Sequence, residues 1–323
     1  MPAPTYPATG GLITPNVMIN GVNSILHTFD IGGAFGTTFQ IISATVLPFN
    51  IAAVGGGGGG GAFDLSFSCG GGGGGAGGVG QTGTPINGVY GQQYLIVVGQ
   101  GGVGAILAVS SPLNGGDSYV TNPASQYSIY ASGGGAGGNS TSTPPLGAFA
   151  NGQGGDANPT AGALSFQGCG GGGTYDYTGV PAGPGTGHST GGNPSGAPGF
   201  LLPGGGGGFS GDATNASGGV GVNSIIPPNN PICWGGDGGG GQSTSQNFGY
   251  GGNGGDINNT TGVSGADGVV FVWYPTPTAT TVKLYMEPHQ VRTQSGRYDT
   301  YKHPGRGLPS YQTEWMDALL FGN

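Results

Sequence analysis

Seven consecutive glycines, residues 55–61, follow directly on Ile51-Ala52-Ala53-Val54. A run of this kind is excluded from a helix, where Gly costs about 1 kcal/mol per residue relative to Ala. It is also a weak strand former. The regular geometry left to it is that of polyproline II, with 3 residues per turn, a rise of ~3.1 Å and no internal hydrogen bonds. Seven residues then span roughly 22 Å. One such segment alone is solvated and floppy. Several side by side approach closely, because no Cβ intervenes, and each N–H can reach a neighbour's carbonyl. Buried backbone groups require such partners, so burial of one run implies burial of several. The chain supplies them at 70–75, 133–138 (broken by Ala136), 170–173, 204–208, 238–241 and 251–255 (broken by Asn253). Their spacing is irregular, which makes them a recurring motif and not a strict solenoid repeat.

Ordering glycine is entropically expensive, so something else must offset it. Of 323 residues 81 are Gly and only 6% are charged, yet the chain keeps 14 Tyr, 13 Phe and 3 Trp. Disordered chains are normally charged and poor in aromatic residues, and a strict three-residue glycine repeat of the collagen kind is absent. Stretches rich in β-branched and aromatic residues at 24–30, 38–48, 94–98, 103–109 and 127–130 read as strands. Phe63, Leu65 and Phe67 alternate with polar residues, the pattern of one short strand. The most strand-like segment is Val269-Val270-Phe271-Val272-Trp273-Tyr274, ended by Pro275 and Pro277. The expected fold is mainly β plus irregular: a sandwich of packed polyglycine-II helices flanked by short strands, with almost no α-helix. Three regions follow. Residues 1–37 form an extended or strand segment, 38–275 the glycine-rich domain, and 276–323 an extended tail.

Charge divides the chain at the same place. No Lys or Arg occurs before Lys283, and nine Asp lie in that stretch, within a total net charge of −8. A body without cations has no phosphate-binding surface, so nucleic acid is not an expected partner. No stretch is long and apolar enough to span a membrane, and residues 1–10 lack the pattern of a signal peptide. The protein is expected to be made in a cytoplasm. Cys69, Cys169 and Cys233 stand at edges of glycine runs with no CxxC pair, and read as small buried hydrophobes more than as a zinc site. His27, His188, His289 and His303 are scattered. No nucleophile elbow, Walker loop or HExxH occurs, and GxGxxG carries no information in a chain this rich in Gly. No catalytic, cofactor-binding or metal-ligating residue is identified, and no enzyme is expected. Asp156, Asp237 and Asp256, beside glycines, lack the spacing of calcium repeats and read as turn formers.

A rigid glycine scaffold leaves its connecting loops free to carry recognition. Thr174-Tyr175-Asp176-Tyr177 and Asn247-Phe248-Gly249-Tyr250 use the Tyr, Asn and Gly palette of adaptable binding loops. Tyr175, Tyr177, Phe248 and Tyr250 are therefore candidate receptor contacts, against the plainer reading that they cover the ends of the glycine bundle. In the tail, Trp315, Leu319 and Leu320 sit at short-helix spacing within 311–321, and Arg292 and Arg297 are among its cations. These five are candidate assembly anchors.

An apolar strand entering residues 55–61, further strands near 94–98, recurring glycine runs, and the closing Gly265-Ala266-Asp267-Gly268 with its apolar strand together resemble the glycine-rich domain of phage and giant-virus structural proteins. The chain is similar to the modules at the distal ends of phage tail fibres. There the resemblance implies a layered sandwich of polyglycine helices whose tip loops bind a host surface receptor. It covers roughly residues 38 to 275. It implies a virion structural protein, either a tail-fibre or receptor-binding tip or a capsid-surface component. Such a protein would bind other virion proteins through its tail, contact a host-surface glycan or protein, and act as a homo-oligomer or part of a larger assembly. The competing expectation is a cellular extracellular-matrix or filament subunit.

Overall fold

The computed structural model describes residues 6–31, 38–63, 70–106, 110–122, 127–139, 165–166, 168–172, 206–208, 210, 217–224, 226, 231–232, 247–256, 258–277, 290–292 and 298–300. Every regular element among them is a strand. In chain order these are β1 (Ala8–Thr9), β2 (Leu12–Ile19), β3 (Val22–Phe29), β4 (Thr38–Ile41), β5 (Leu47–Val54), β6 (Val79–Gln81), β7 (Ile86–Gly88), β8 (Gln93–Val97), β9 (Ser118–Thr121), β10 (Tyr127–Ala131), β11 (Ser165–Phe166), β12 (Val222–Asn223), β13 (Pro231–Ile232), β14 (Val269–Pro275), β15 (Gln290–Arg292) and β16 (Tyr298–Thr300). The chain forms two compact units, Met1–Thr276 and Pro277–Asn323. In the smaller unit β15 and β16 pair antiparallel, Val291 opposite Asp299.

In the larger unit two sheets face each other. One runs β1-β4-β8-β9-β10-β11; the other runs β2-β3-β14-β5-β6, with β7 also pairing β5. All pairings are antiparallel except β10 with β11. Between the sheets lies an apolar core. Phe39, Ile41, Tyr94, Ile96, Val120 and Ile129 from the first meet Ile25, Phe49, Ile51, Val270, Val272 and Tyr274 from the second. The Phe39 and Phe49 ring centroids are 5.1 Å apart, and Phe49 meets Tyr94 edge-on at the same distance. Such pairs add about 0.5–1.5 kcal/mol beyond their burial.

Strand β14 is the keystone. It pairs β3 on one side and β5 on the other. Its residues Val269 to Tyr274 are buried on both faces, which explains an unbroken apolar run in place of alternation. The face turned from the core, with Ile19, Leu26, Ala52, Val54, Val269, Phe271 and Trp273, packs with Ala76, Cys169 and Ile226. Cys169 thus acts as the small buried hydrophobe the sequence suggests; Cys69 and Cys233 lie outside the described residues.

One local reading changes. Residues 103–106 do not extend into a strand: Gly102 and Ala105 donate backbone N–H bonds to Gly57 and Gly60 carbonyls, so this stretch follows a three-residue period. Its alternating apolar residues conceal that period because Gly101, Gly102 and Gly104 sit among them. Within the extended or strand segment expected at residues 1–37, β2 is a strand that contains Pro15. The ladder shifts register between Thr14 and Val17, and Asn16 adopts φ 60°, which accommodates the proline. The strand expected around Phe63 falls largely on residues outside the described set, and Phe63 itself is buried with its N–H donated to Thr260.

Candidate functional site

Strand β5 runs directly into residues 55–61, which form the axis of the glycine layer. All seven N–H groups of this segment donate, and the acceptors change with every residue. Gly55, Gly58 and Gly61 bond Gly78, Gly75 and Gly72; Gly56 and Gly59 bond Gly116 and Leu113; Gly57 and Gly60 bond Ala266 and Val263. Each series steps by three, which is the signature of a helix with 3 residues per turn and no internal bonds. The acceptor numbers fall as the donor numbers rise, so these three neighbours run antiparallel to the axis.

Carbonyls follow the same rule with neighbours of the other direction. Gly134 and Gly137 donate to Gly56 and Gly59, Gly102 and Ala105 to Gly57 and Gly60, and Gly252 and Gly255 to Gly58 and Gly61. Those three neighbours run parallel to the axis. The six also bond one another in a closed ring. Gly75 donates to Gly135, Gly74 to Gly252, Ala266 to Tyr250, Gly265 to Gly102, Gly116 to Gln100, and Gly115 to Gly134. One polyglycine helix is therefore enclosed by six, alternating in direction, as in a hexagonal lattice. Residues 168–172 add a further segment beside this ring, through Gly135 to Cys169 and Gly172 to Gly73.

The packing explains why no side chain is tolerated on the axis. A Cβ at Gly58 would stand 2.0 Å from the Gly135 carbonyl oxygen, and one at Gly59 2.1 Å from that of Val103. Where a residue of the ring faces outward, the constraint lapses. Gln100, Val103 and Ile106, three apart, are exposed.

Lattice N–H groups with no carbonyl to reach are met by short polar side chains. Asn139 Oδ1 accepts from Ala62 at 2.9 Å, Asn114 Oδ1 from Ala136 at 2.8 Å, Asp117 Oδ1 from Gly133 at 2.9 Å, and Asp267 Oδ1 from Gly101 at 2.8 Å. Ser118 and Ser132 hydroxyls serve Gly99 and Gly168. Sequence reasoning named Asp267 only as part of the closing 265–268 motif and assigned none of these residues a capping role. The available signal was adjacency, since Ser132 and Asn139 bracket the run 133–138. Asp256 is a turn former as expected, its Oδ1 accepting from the N–H groups of Asn258 and Asn259; Asp156 and Asp237 lie outside the described residues.

The candidate contact residues separate. Phe248 and Tyr250 sit on the turn that carries the chain into segment 249–255, where Gly249 has φ 70°. The Phe248 ring is partly exposed and meets Phe271 edge-on at 6.2 Å, so it also covers the outer face of the sheet. Tyr250 is partly buried, and its carbonyl accepts the Ala266 N–H within the lattice. Tyr175 and Tyr177, and Arg297, Trp315, Leu319 and Leu320 of the anchor set, lie outside the described residues. Arg292 ends β15.

One ionisable pair is buried in the sandwich. His27 Nδ1 lies 2.6 Å from the Gly10 carbonyl, which makes it the N–H donor, and its Nε2 lies 3.1 Å from the Tyr274 hydroxyl, which therefore donates. Burial holds the imidazole below its ordinary pKa and raises that of the Tyr274 phenol. Both act as core polar groups with their bonds satisfied.

A comparison with curated proteins finds no match. A family profile described as a glycine-rich domain matches residues 33–275, which takes in β4 through β14 and every glycine run named above. With three quarters of its length accounted for by that profile, the chain belongs to the glycine-rich domain family.

Proposed function

We propose that this protein is a non-enzymatic structural component of a virion, at a tail-fibre or receptor-binding tip or on a capsid surface, where it mediates host attachment or assembly. The observation that carries this reading is the enclosed polyglycine axis: a rigid support made of backbone, needing almost no side chains, with its connecting segments free to diversify. Such a support suits a surface whose loops must change while the scaffold stays fixed. The near absence of charge points to contacts made by aromatic rings and neutral hydrogen bonds, with a host glycan or protein as partner. The segment 276–323, which holds every cation of the chain, serves as the attachment to other virion proteins. The protein is made in the host cytoplasm and reaches the particle by assembly.

Mass spectrometry of purified particles from the source tests the reading directly, and a chain ending at Thr276 tests the anchor. The truncated protein should fold, since residues up to Thr276 form a compact unit of their own, and should be missing from particles. Absence of the intact protein from particles refutes the virion assignment; normal incorporation of the truncated chain refutes the anchor alone.

A further inference from the structure

The chain changes sheets near its start. Ala8 pairs Ile41 and Thr9 pairs Gln40 in the first sheet, and the Pro7 carbonyl accepts the N–H groups of Ile42 and Ser43. Shortly after, Leu12 pairs Thr28 in the second sheet. Between them stand Gly10 and Gly11, with φ 106° and 65°, backbone that residues with a Cβ rarely adopt. A Cβ at Gly10 would stand 2.0 Å from the Thr38 carbonyl oxygen, so this crossover lies tight against β4.

Two enclosed side chains on the neighbouring strands β3 and β14 hold the crossover, His27 and Tyr274. The His27 Nδ1–H donates to the Gly10 carbonyl at 2.6 Å, and the Tyr274 hydroxyl donates to His27 Nε2 at 3.1 Å. The Tyr274 oxygen in turn accepts the Ala8 backbone N–H. The relay thus runs one way, from Ala8 through the phenol and the imidazole to Gly10, and it is satisfied only while the imidazole is neutral. A second proton, on Nε2, sets two hydrogens face to face. The Tyr274 oxygen then accepts it only by turning its own hydrogen away, toward a side where Ala8 is another donor. No charge compensates. Ile13 and Val272 flank His27 in the sheet, and Phe39 meets its ring edge-on at 5.1 Å. The titratable groups of the surrounding core, Tyr6, Tyr94 and Tyr274, carry no charge near neutral pH. Asp30, just past the end of β3, is exposed and about 10 Å along the strand. A buried imidazolium without a partner is costly.

We infer that the crossover is an acid-operated latch: a proton taken up by His27 frees residues 6–11 from both sheets while the rest of the sandwich stays paired. The open form titrates at the ordinary histidine value of about 6.5, and burial holds the closed form below it. The latch is therefore shut above that pH and loosens as pH falls through it. This segment can also leave alone. Strand β1 has two residues and stands at the edge of its sheet with β4 as its one neighbour, whereas β3, β14 and β5 are held on both sides. Its departure bares the backbone of β4, an unpaired edge of the kind to which another extended segment adds. The device goes beyond the virion reading and does not depend on it.

The test is amide hydrogen exchange of the full chain at pH 7 and pH 5, each corrected for the chemical exchange rate at that pH. Residues 7–12 should lose protection several-fold, up to about twentyfold, the limit set by an open-state pKa of about 6.5. Residues 50–54 and 270–274 should keep theirs. His27→Gln retains an acceptor for Tyr274 and a donor for Gly10 without a titrating ring, so its residues 7–12 should be equally protected at both pH values. If that variant does not fold, the His27 imidazole NMR signal of the intact chain decides, assigned by replacing His188, His289 and His303 in turn: its midpoint must match that of the opening. Equal protection of 7–12 at pH 7 and pH 5, a loss that His27→Gln shares, a ring midpoint that departs from the opening, or a loss that extends in step to 50–54 and 270–274 would each overturn the inference.

Discussion

Replacing Gly58 by Ala adds one methyl group at the middle of the enclosed segment. Its carbon would stand 2.0 Å from the Gly135 oxygen and 2.5 Å from the Gly135 carbonyl carbon, both of them backbone. Restoring ordinary van der Waals separation means moving segment 133–138 by more than an ångström. That segment is tied to the axis by Gly134 to Gly56 and Gly137 to Gly59, and receives Gly75 at Gly135 and Gly72 at Gly138. At about 0.5–1.5 kcal/mol each, loosening these four bonds costs roughly 2–6 kcal/mol. Reduced freedom of the unfolded chain returns about 0.4–1 kcal/mol. A net loss of roughly 1–6 kcal/mol is a large share of the 5–15 kcal/mol typical of a folded protein. Gly83→Ala provides the internal control, because nothing lies within 4 Å of its would-be Cβ. It should leave stability unchanged or raise it by up to about 1 kcal/mol. Urea unfolding of both variants decides the matter. A Gly58→Ala protein within about 1 kcal/mol of wild type would mean the axis is not enclosed in solution as described.

Three further outcomes are expected. Asp267→Ala, which takes the acceptor from Gly101, should cost about 0.5–1.5 kcal/mol in urea unfolding, and Asp267→Asn should recover most of that by keeping an oxygen in place. Because burial lowers the His27 pKa, the unfolded chain takes up the proton first; stability should decline as pH falls below about 6.5 and be unaffected by this residue above it, and melting temperatures at pH 7 and 5 should show a smaller drop for His27→Gln than for wild type. Tyr175→Ala with Tyr177→Ala should reduce attachment to host cells with little salt dependence while stability stays within about 1 kcal/mol, as for surface changes; a collapse in stability would instead assign those rings to packing.

The glycine lattice was legible because its physics is exclusive: seven glycines in a row have few ordered options, and Val269–Pro275 could only be a buried strand. The partners of the axis were less so. Three of its six neighbours, 99–105, 113–116 and 262–268, contain no long glycine run, and the last two enter the lattice with Leu113, Asn114, Val263, Ser264 and Ala266. A segment on the ring needs glycine only where it faces inward, so its pattern dilutes to one or two residues in three. In 99–105 that dilution resembled strand alternation. The side-chain caps escaped notice for a related reason. Asn114 and Asp267 are chosen by which lattice N–H lacks a neighbour, a fact of three-dimensional arrangement that adjacency in sequence does not carry.

The enclosure of residues 55–61 also sets an order of events in synthesis. Its six neighbours are spread from residue 70 to residue 268, and the strand that completes the adjoining sheet, β14, follows all of them. Until some two hundred further residues have emerged, the axis has no way to satisfy its seven N–H groups except with water. Contacts of such sequence separation form slowly. A chain interrupted before residue 249 would lack two sides of the ring and the central strand of one sheet, and would have nothing to hold the rest in register. The larger unit is thus closed by its final strand, so that the unit without residues 249–275 and the unit with them differ as an open barrel differs from one with its last stave in place.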